Sequence, residues 1–334
     1  MPYVTPHMTF AQIEALPHME RAAGYLIEMR PESAAKISGV TLEMNRALNG
    51  EFAGRRMRLG IERLVEVANE YGSPDIELWD EAAIVEVPER ERTRLFRFPA
   101  PKPGAPFVLV IPGGGYCSVC SAFEGFTFAK ELNDAGYAAF VLSYRTREAA
   151  LMPAPIEDAV QALRQILAHA DELQVAPRYA VAGFSAGAHL AGELCSDNWG
   201  WRRWDLPRPA AALLGYPAVD MRLLAKQPSE NETVVHMLDA MFGASRDDAL
   251  LSEFDVVRHV AAEFPPTFTW QAEDDATIPF ASSAHLVMRL GELGVPFEYH
   301  AYAHGDHGLV KPHDSDADQW PTQAIAFLVH TLGR

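Results

Sequence analysis

The sequence has few cysteines and no long apolar run. Three cysteines do not make a disulfide framework, and the C-x-x-C spacing of Cys117 and Cys120 follows three glycines rather than opening a helix after a strand. No stretch approaches the roughly 18 uninterrupted apolar residues of a membrane span. The first ten residues, MPYVTPHMTF, have neither the basic nor the apolar region of a secretory signal. We therefore expect a cytoplasmic protein that does not bind membranes.

Clustered positive charge is also lacking. The chain carries 28 Lys and Arg against 45 Asp and Glu, a formal net charge of −17. Binding a phosphate backbone needs grouped basic residues that release counterions. The nearest candidate, Arg55, Arg56 and Arg58, lies among acidic residues and is typical of a solvated helix face. The composition excludes nucleic acid as a partner and disfavours anionic substrates.

The first 80 residues differ from the rest of the chain. Apolar residues recur there at helical spacing within 9–28, 32–48 and 54–71, and no strand pattern is present. Because the chain has 334 residues, about 80 more than one α/β domain of roughly 250 residues needs, we expect a helical appendage at 1–80 beside a domain at 81–334. The appendage could act as a lid over the site or form a homo-oligomer interface.

From residue 82 onward, strand and helix patterns alternate. Expected strands lie at Ala83–Val87, Leu95–Phe98, 106–111, Tyr137–Ser143, Arg178–Gly183, Ala210–Tyr216, Thr267–Gln271 and Phe297–Tyr302. Expected helices lie near 125–135, 155–170, 186–194, 280–293 and 320–332. The alternation predicts an α/β fold with a mostly parallel sheet covered by helices on both faces. Residues 217–264 show helical patches without a strand pattern, which indicates an insertion.

The strongest motif is G-x-S-x-G at Gly183-Phe184-Ser185-Ala186-Gly187. A predicted strand ends at Gly183 and a predicted helix begins at Ala186, which is the context of a nucleophile elbow. The turn is so tight that the residues two positions before and after the serine must be glycine. It lifts the serine hydroxyl out of the sheet. The alternative is a structural turn with a capping serine. The context favours Ser185 as a nucleophile.

Three glycines follow the predicted strand at 106–111 directly after Pro112. Consecutive glycines cost conformational entropy and usually mark a place where bare backbone approaches something. We expect the N–H groups of Gly114 and Gly115, joined by that of Ala186, to donate to a developing oxyanion. Without a nucleophile nearby, a flexible loop would be the better interpretation.

A serine nucleophile needs a base and an orienting acid, which follow it in the order acid, then base, in this type of fold. Asp274 and Asp275 follow the strand at 267–271, and His307 follows the last strand. The carboxyl ends of these strands meet at one edge of the sheet. We favour Asp275 as the acid, because Ala276–Pro279 is typical of a turn leading into a helix, and leave Asp274 as the alternative.

Other histidines compete with His307 for the role of base. His300 falls within a strand pattern, His304 fits the framework of its loop, and His189 follows the serine on a helix that directs it elsewhere. A metal site is a further alternative, using His304, His307, His313, Asp314 and Asp316. These histidines lack the i, i+4 spacing of a helical metal motif, so we expect neither a metal nor a cofactor.

The motifs together resemble the α/β-hydrolase superfamily, and most of all its acetyl-xylan and feruloyl esterases, near the hormone-sensitive-lipase type. The segments that carry the resemblance are Ile111-Pro-Gly-Gly-Gly-Tyr116, Leu142-Ser-Tyr-Arg145, Ala182-Gly-Phe-Ser-Ala-Gly-Ala-His-Leu190, Pro265–Trp270 with Asp274-Asp275, and His304-Gly-Asp-His-Gly308. The resemblance implies the triad Ser185, Asp275 and His307. Many relatives have histidine where this chain has Pro112, which weakens a lipase assignment.

The resemblance implies a serine carboxylic ester hydrolase without metal or cofactor. We expect it to act on neutral short-acyl esters, with acetyl groups on xylo-oligosaccharides as the leading substrate. A feruloyl esterase, an amide or peptide hydrolase and an aryl formamidase are alternatives that use the same triad. A non-catalytic receptor on this fold would show a damaged triad, whereas all three residues are present here.

Overall fold

The computed structural model describes residues 4–26, 39–44, 51–309 and 316–333, without the side chains of 51–53. Eight strands of these residues form one sheet. The strands are β1 (Asp75–Ile76), β2 (Arg94–Phe98), β3 (Ala105–Ile111), β4 (Ala138–Ser143), β5 (Val175–Phe184), β6 (Ala212–Gly215), β7 (Thr267–Ala272) and β8 (Phe297–Tyr302).

Helices fill most of the connections between the strands. The main α-helices are α1 (Phe10–Glu14), α2 (Glu51–Tyr71), α3 (Glu81–Glu86), α4 (Phe126–Asp134), α5 (Ala154–Ala168), α6 (Ala186–Glu193), α7 (Met221–Leu224), α8 (Glu232–Phe242), α9 (Asp248–Glu253), α10 (Ala281–Glu292) and α11 (Trp320–Thr331). In the described part of the chain, none of the helices is both long enough and apolar enough to span a bilayer.

The strand order is β1-β2-β4-β3-β5-β6-β7-β8. The six strands from β4 to β8 in this order pair in parallel, and β1 and β2 pair antiparallel at one edge. The parallel strands end at the same edge of the sheet, where β5, β7 and β8 are followed by the segments that carry the predicted site residues. The predicted α/β fold with a mostly parallel sheet is confirmed.

Strand β3 shows why its sequence is a nearly continuous apolar run. Phe107, Leu109 and Ile111 pack in the core on one face of the sheet, and Val108 and Val110 pack in the core on the other. All five are fully buried. A parallel strand covered by helices on both faces has no polar side to present, so it lacks the alternation of a half-buried strand.

Helix α2 from the N-terminal region packs on one face of this sheet, beside α4. Ile61 and Leu64 are fully buried there, and each contributes about 1.5–3 kcal/mol through burial. A Cβ on Gly60 would lie 2.5 Å from the carbonyl carbon of Phe126, so the two helices touch at a glycine. The described part of the N-terminal region is therefore joined to the core of the sheet. Its role as a lid or an interface stays a prediction.

Two predictions near the start of the sheet are wrong. Ala83–Val87 is not a strand, because residues 81–86 form α3, where the Asp80 side chain accepts a hydrogen bond from the Ala83 N–H at 2.8 Å. This cap outweighs the β-branched residues that suggested a strand. Conversely, the first 80 residues do contain strand structure. Asp75 and Ile76 form β1, which is too short to show an alternating pattern and is held by pairing with β2.

The other helical predictions for the N-terminal region are met only in part. The segment 9–28 holds the five-residue helix α1 and a 3-10 turn at Glu20–Ala22, and most of 32–48 lies outside the described residues.

The segment 217–264 contains α7, α8 and α9 and no strand, as its pattern predicts.

Candidate active site

Ser185 occupies the turn between β5 and α6 with φ 53° and ψ −120°, a conformation that an L-residue adopts only under constraint. The constraint is close packing on both sides. A Cβ on Gly183 would lie 2.2 Å from the carbonyl oxygen of Gly187, and one on Gly187 would lie 2.1 Å from that of Ile111. Only glycine fits at these two positions, which is the physical reason for the G-x-S-x-G pattern.

His307 lies in a 3-10 turn after β8 and reaches back to the serine. Its Nε2 is 2.9 Å from Ser185 Oγ, and its Nδ1 is 2.9 Å from Asp275 Oδ2. The His307 side chain is 20% exposed, whereas that of Asp275 is fully buried. The three residues, which come from three separate loops, thus form a hydrogen-bonded chain from the buried carboxylate to Ser185, which is 7% exposed.

Asp275 is held in place by four donors. Its Oδ1 accepts the N–H groups of Thr277 and Ile278, both at 2.9 Å. Its Oδ2 accepts Nε2 of Gln271 at 3.1 Å in addition to His307. This arrangement fixes the carboxylate oxygen that faces the imidazole, and it makes Asp275, of the two adjacent aspartates, the partner of the histidine.

Asp274 has a different position and different partners. It is exposed, and its Oδ1 accepts the Asp306 N–H at 2.8 Å. This backbone hydrogen bond holds the pKa of Asp274 below its usual value. Asp306 in turn accepts the N–H groups of Ala276 and His307. These hydrogen bonds join the loop of Asp274 to the loop of His307. Asp274 thus contacts the backbone of the histidine loop and not the His307 imidazole.

The competing histidines have contacts of their own. The fully buried His189 is bonded through Nδ1 to the Tyr116 hydroxyl at 2.8 Å and through Nε2 to the carbonyl of Phe254 at 2.7 Å. His300 packs against the ring of Phe268. These contacts are those of packing and framework residues, as expected for both.

The glycine loop approaches the serine closely. A Cβ on Gly113 would lie 2.9 Å from Ser185 Cβ, so the backbone at this position is in direct contact with the nucleophile turn. Gly114 and Gly115 have φ values of 127° and 62°, which favour glycine. In the described structure, the N–H groups of Gly114, Gly115 and Ala186 donate to no protein acceptor. Their predicted role as oxyanion donors stays a prediction.

Metal ligands are a separate question. Among the described residues, no group of three or more His, Cys, Asp or Glu side chains is placed to hold a metal ion. His313 and Asp314, two members of the alternative metal set, lie outside the described residues.

Several residues at the site escape sequence reasoning. Glu124 and Tyr216 are hydrogen-bonded to each other behind the glycine loop, and Gln271 and Asp306 hold the acid and the histidine loop. Glu124 carries the clearest signal, since it is a single charge in the apolar stretch Ala122–Phe126. Gln271 lies within a predicted strand, and Tyr216 ends one. Nothing in the sequence near them indicates which distant group they meet.

With this geometry described, the chain can be compared with known proteins. Residues 97–290, more than half of the chain, match the family model described as BD-FAE. The chain belongs to the BD-FAE family. The resemblance to α/β-hydrolase esterases is thereby confirmed at the level of family and fold.

The relatives of this BD-FAE chain include proteins whose names refer to xylan and to acetyl esters. The acetyl ester-xyloside bifunctional hydrolase of Caldicellulosiruptor lactoaceticus superposes with a TM-score of 0.65 at 28% identity, over 77% of this chain and 95% of that one. The endo-1,4-beta-xylanase B of Butyrivibrio fibrisolvens is 32% identical over 223 residues, 64% of this chain and 34% of that protein. The acetylxylan esterase of Xylanibacter ruminicola is 25% identical over 210 residues, 62% of this chain and 42% of that protein. The match therefore spans less than half the length of these last two relatives.

Proposed function

We propose that this BD-FAE chain is a serine carboxylic ester hydrolase that removes short acyl groups, above all acetyl, from neutral carbohydrate esters such as acetylated xylo-oligosaccharides. The observation that carries the proposal is the hydrogen-bonded chain Ser185–His307–Asp275 beside unpartnered backbone N–H groups. Relatives whose names refer to acetyl esters and acetylxylan support the choice of substrate.

In the proposed mechanism, His307 Nε2 takes the Ser185 proton while Oγ forms a bond to the ester carbonyl carbon, and the carbonyl electron pair moves to its oxygen. Asp275 holds the imidazole with its proton on Nδ1 and stabilises the imidazolium. The oxyanion is met by N–H groups of Gly114, Gly115 and Ala186, at about 3–4 kcal/mol per donor. Collapse breaks the bond to the alcohol, which leaves with the proton from His307. A water molecule activated by His307 then releases the acid.

The preference for a short acyl group is supported by how α8 packs on the glycine loop. Met237 Cβ lies 3.8 Å from the position that a Cβ would take on Gly115, and Met237 is 1% exposed. Cys117 Sγ, next along the loop, is 3.5 Å from the carbonyl of His236 on the same helix. Helix α8 therefore borders the glycine loop, and in this proposal it limits the length of the acyl group.

The test is a comparison of substrates with a matched inactive variant. We expect p-nitrophenyl acetate to be turned over faster than butyrate and longer esters, and acetylated xylo-oligosaccharides to release acetate. Feruloylated oligosaccharides, peptides and aryl formamides serve as comparison substrates, and turnover of any of them above acetyl esters would contradict the proposal. A fluorophosphonate probe should label the wild type and not Ser185→Ala. Absence of wild-type labelling would favour a non-catalytic receptor.

We also propose that the protein works in the cytoplasm. Three cysteines in 334 residues do not make a disulfide framework, which is typical of proteins in a reducing compartment. Thiol counting after purification under non-reducing conditions, with and without reductant, tests whether any of them is engaged in a disulfide.

A further inference from the structure

Glu124 is a partly buried carboxyl group behind the proposed site, outside the Ser–His–Asp chain. It lies in the π-helical turn Ser121–Gly125 that leads into α4. Its Oε2 accepts the Gly113 N–H at 2.5 Å, and its Oε1 accepts the Tyr216 hydroxyl at 2.9 Å. Burial raises the pKa of Glu124, and these two hydrogen bonds and the nearby His307 act in the opposite direction. Each oxygen of the carboxyl group is thus bonded to a different segment of the site.

The first segment is the glycine loop. Gly113 is wedged against the nucleophile turn, since a Cβ there would lie 2.7 Å from the Phe184 carbonyl oxygen and 2.9 Å from Ser185 Cβ. Its N–H points to Glu124 and so is not available to substrate. The next N–H groups along the loop, those of Gly114 and Gly115, are the free ones. The bond to Glu124 therefore fixes the loop at the point from which these donors project.

The second segment is the ring that packs on the imidazole. Tyr216 meets His307 edge to face, with ring centroids 5.0 Å apart. Its backbone is anchored at the same place, because the carbonyl of the preceding Gly215 accepts the Ser185 N–H at 2.9 Å. With its hydroxyl bonded to Glu124, the Tyr216 ring has a fixed orientation beside His307.

The N-terminal region braces the turn that carries Glu124. The Ala122 N–H donates to the carbonyl of Leu26 at 3.3 Å, and Gly60 of α2 contacts the backbone of Phe126 directly after the turn. The turn is therefore held from behind by two parts of the N-terminal region. A carboxyl group held in this way can impose its position on its partners.

We propose that Glu124 is a positioning residue for acyl transfer: it holds the oxyanion donors through Gly113 and the imidazole through Tyr216. This inference rests on the proposed esterase function and adds a residue to it. Oxyanion donors act only when they are preorganised at the place where charge develops. A displacement of about 1 Å at such a site costs on the order of 100-fold in rate, which sets the expected effect.

The decisive measurement is kcat and KM for p-nitrophenyl acetate in three variants. In Glu124→Ala, we expect kcat to fall about 100-fold with KM changed less than about threefold, because the lost contacts act on the transition state. In Glu124→Gln, kcat should stay within about tenfold of wild type. The amide oxygen can accept the Gly113 N–H while the amide N–H donates to the Tyr216 oxygen. Tyr216→Phe, which breaks one link only, should lie between the two.

A matched control is Glu131→Ala on α4. Glu131 is bonded to Arg56 of α2 at 2.5 and 2.8 Å, so its loss removes a partly buried carboxylate from the same region without touching the glycine loop or Tyr216. We expect Glu131→Ala to lower stability and leave kcat within about twofold. If Glu124→Ala does not fold, as judged by circular dichroism, Tyr216→Phe and Glu124→Gln decide the matter.

The rate of fluorophosphonate labelling separates this inference from the proposed function. Phosphonylation of Ser185 places a phosphoryl oxygen where the oxyanion would lie and needs no knowledge of the natural ester. The expected result is rapid labelling of the wild type and labelling of Glu124→Ala slowed about 100-fold. Equal labelling rates for the wild type and Glu124→Ala, or a Gln variant as impaired as the Ala variant, would overturn the proposed role of Glu124. Neither result would affect the proposed esterase function. A wild type that neither labels nor hydrolyses esters would overturn both proposals.

Discussion

Replacing Asp275 by asparagine should remove most of the activity, although the two side chains have nearly the same shape. All four groups around the Asp275 carboxylate are donors: the N–H groups of Thr277 and Ile278, Gln271 Nε2 and His307 Nδ1. The Gln271 amide cannot easily turn over, because its Nε2 also donates to the Ile278 carbonyl at 2.7 Å. Any orientation of the asparagine amide at this position therefore directs its own N–H at a donor.

The orientation that costs least keeps the amide oxygen on the two backbone N–H groups and presents the amide N–H to the imidazole. His307 must then accept at Nδ1 and carry its proton on Nε2, the nitrogen 2.9 Å from Ser185 Oγ. In that tautomer it cannot take the serine proton. The same change in serine proteases lowers kcat about 10⁴-fold, which corresponds to about 5 kcal/mol of transition-state stabilisation.

The adjacent Asp274 provides the matched control. Its side chain is exposed, and an asparagine oxygen can still accept the Asp306 N–H, so Asp274→Asn should change kcat by no more than about threefold. Both variants are assayed for kcat and kcat/KM on p-nitrophenyl acetate, after circular dichroism has shown that they are folded. Equal losses in the two variants, or a loss below tenfold in Asp275→Asn, would refute the assignment of Asp275 as the orienting acid.

Three further predictions concern packing, pH and the glycine loop. In an exposed helix, replacing glycine by alanine stabilises by about 1 kcal/mol. Gly60→Ala should instead lower the free energy of unfolding in urea by about 1–3 kcal/mol, because its Cβ would lie 2.5 Å from the Phe126 backbone. A gain in stability would contradict this contact. Burial raises the pKa of Asp255 to about 6, so its contribution to stability is complete below the unfolded pKa of about 3.9 and is lost as pH rises through 6. The unfolding free energy of Asp255→Asn relative to wild type should accordingly increase by up to about 3 kcal/mol from pH 4 to pH 8, and a difference independent of pH would exclude this linkage. Gly114→Ala should abolish activity, because its Cβ would lie 2.2 Å from the Ser118 carbonyl oxygen. The Cβ of Gly115→Ala would have its nearest neighbour at 3.8 Å, so this variant should lose only about 1–2 kcal/mol of stability. Similar kcat values in the two variants would argue against this geometry.

The sheet and the nucleophile turn could be predicted because their requirements are local. A strand buried on both faces must be apolar along its length, as Phe107–Ile111 is. A strand-to-helix turn as tight as that at Ser185 excludes every residue but glycine two positions before and two positions after the serine. The errors occur where a local preference was outweighed. Ile84 and Val85 are β-branched, but the Asp80 cap begins a helix there, and β1 exists only because β2 is beside it.

The candidate site divides in the same way. The motifs and their order along the chain predict which loops carry the serine, the acid and the histidine, because the carboxyl ends of parallel strands meet at one edge of the sheet. The choice between Asp274 and Asp275 depends on which carboxylate lies 2.9 Å from a histidine 32 positions later in the chain. No local pattern contains that distance.

The sequence by itself therefore determined the fold class, the candidate nucleophile and the absence of clustered basic charge, since each follows from residue type and short-range spacing. Only the tertiary structure decided which aspartate faces His307, that the N-terminal helix α2 packs on the sheet, and that Glu124 joins the glycine loop to Tyr216. Tyr216 lies 92 positions from Glu124 along the chain. Contacts of this kind form only when packing of the sheet and its helices brings distant segments together, and their hydrogen bonds are specific to that packing.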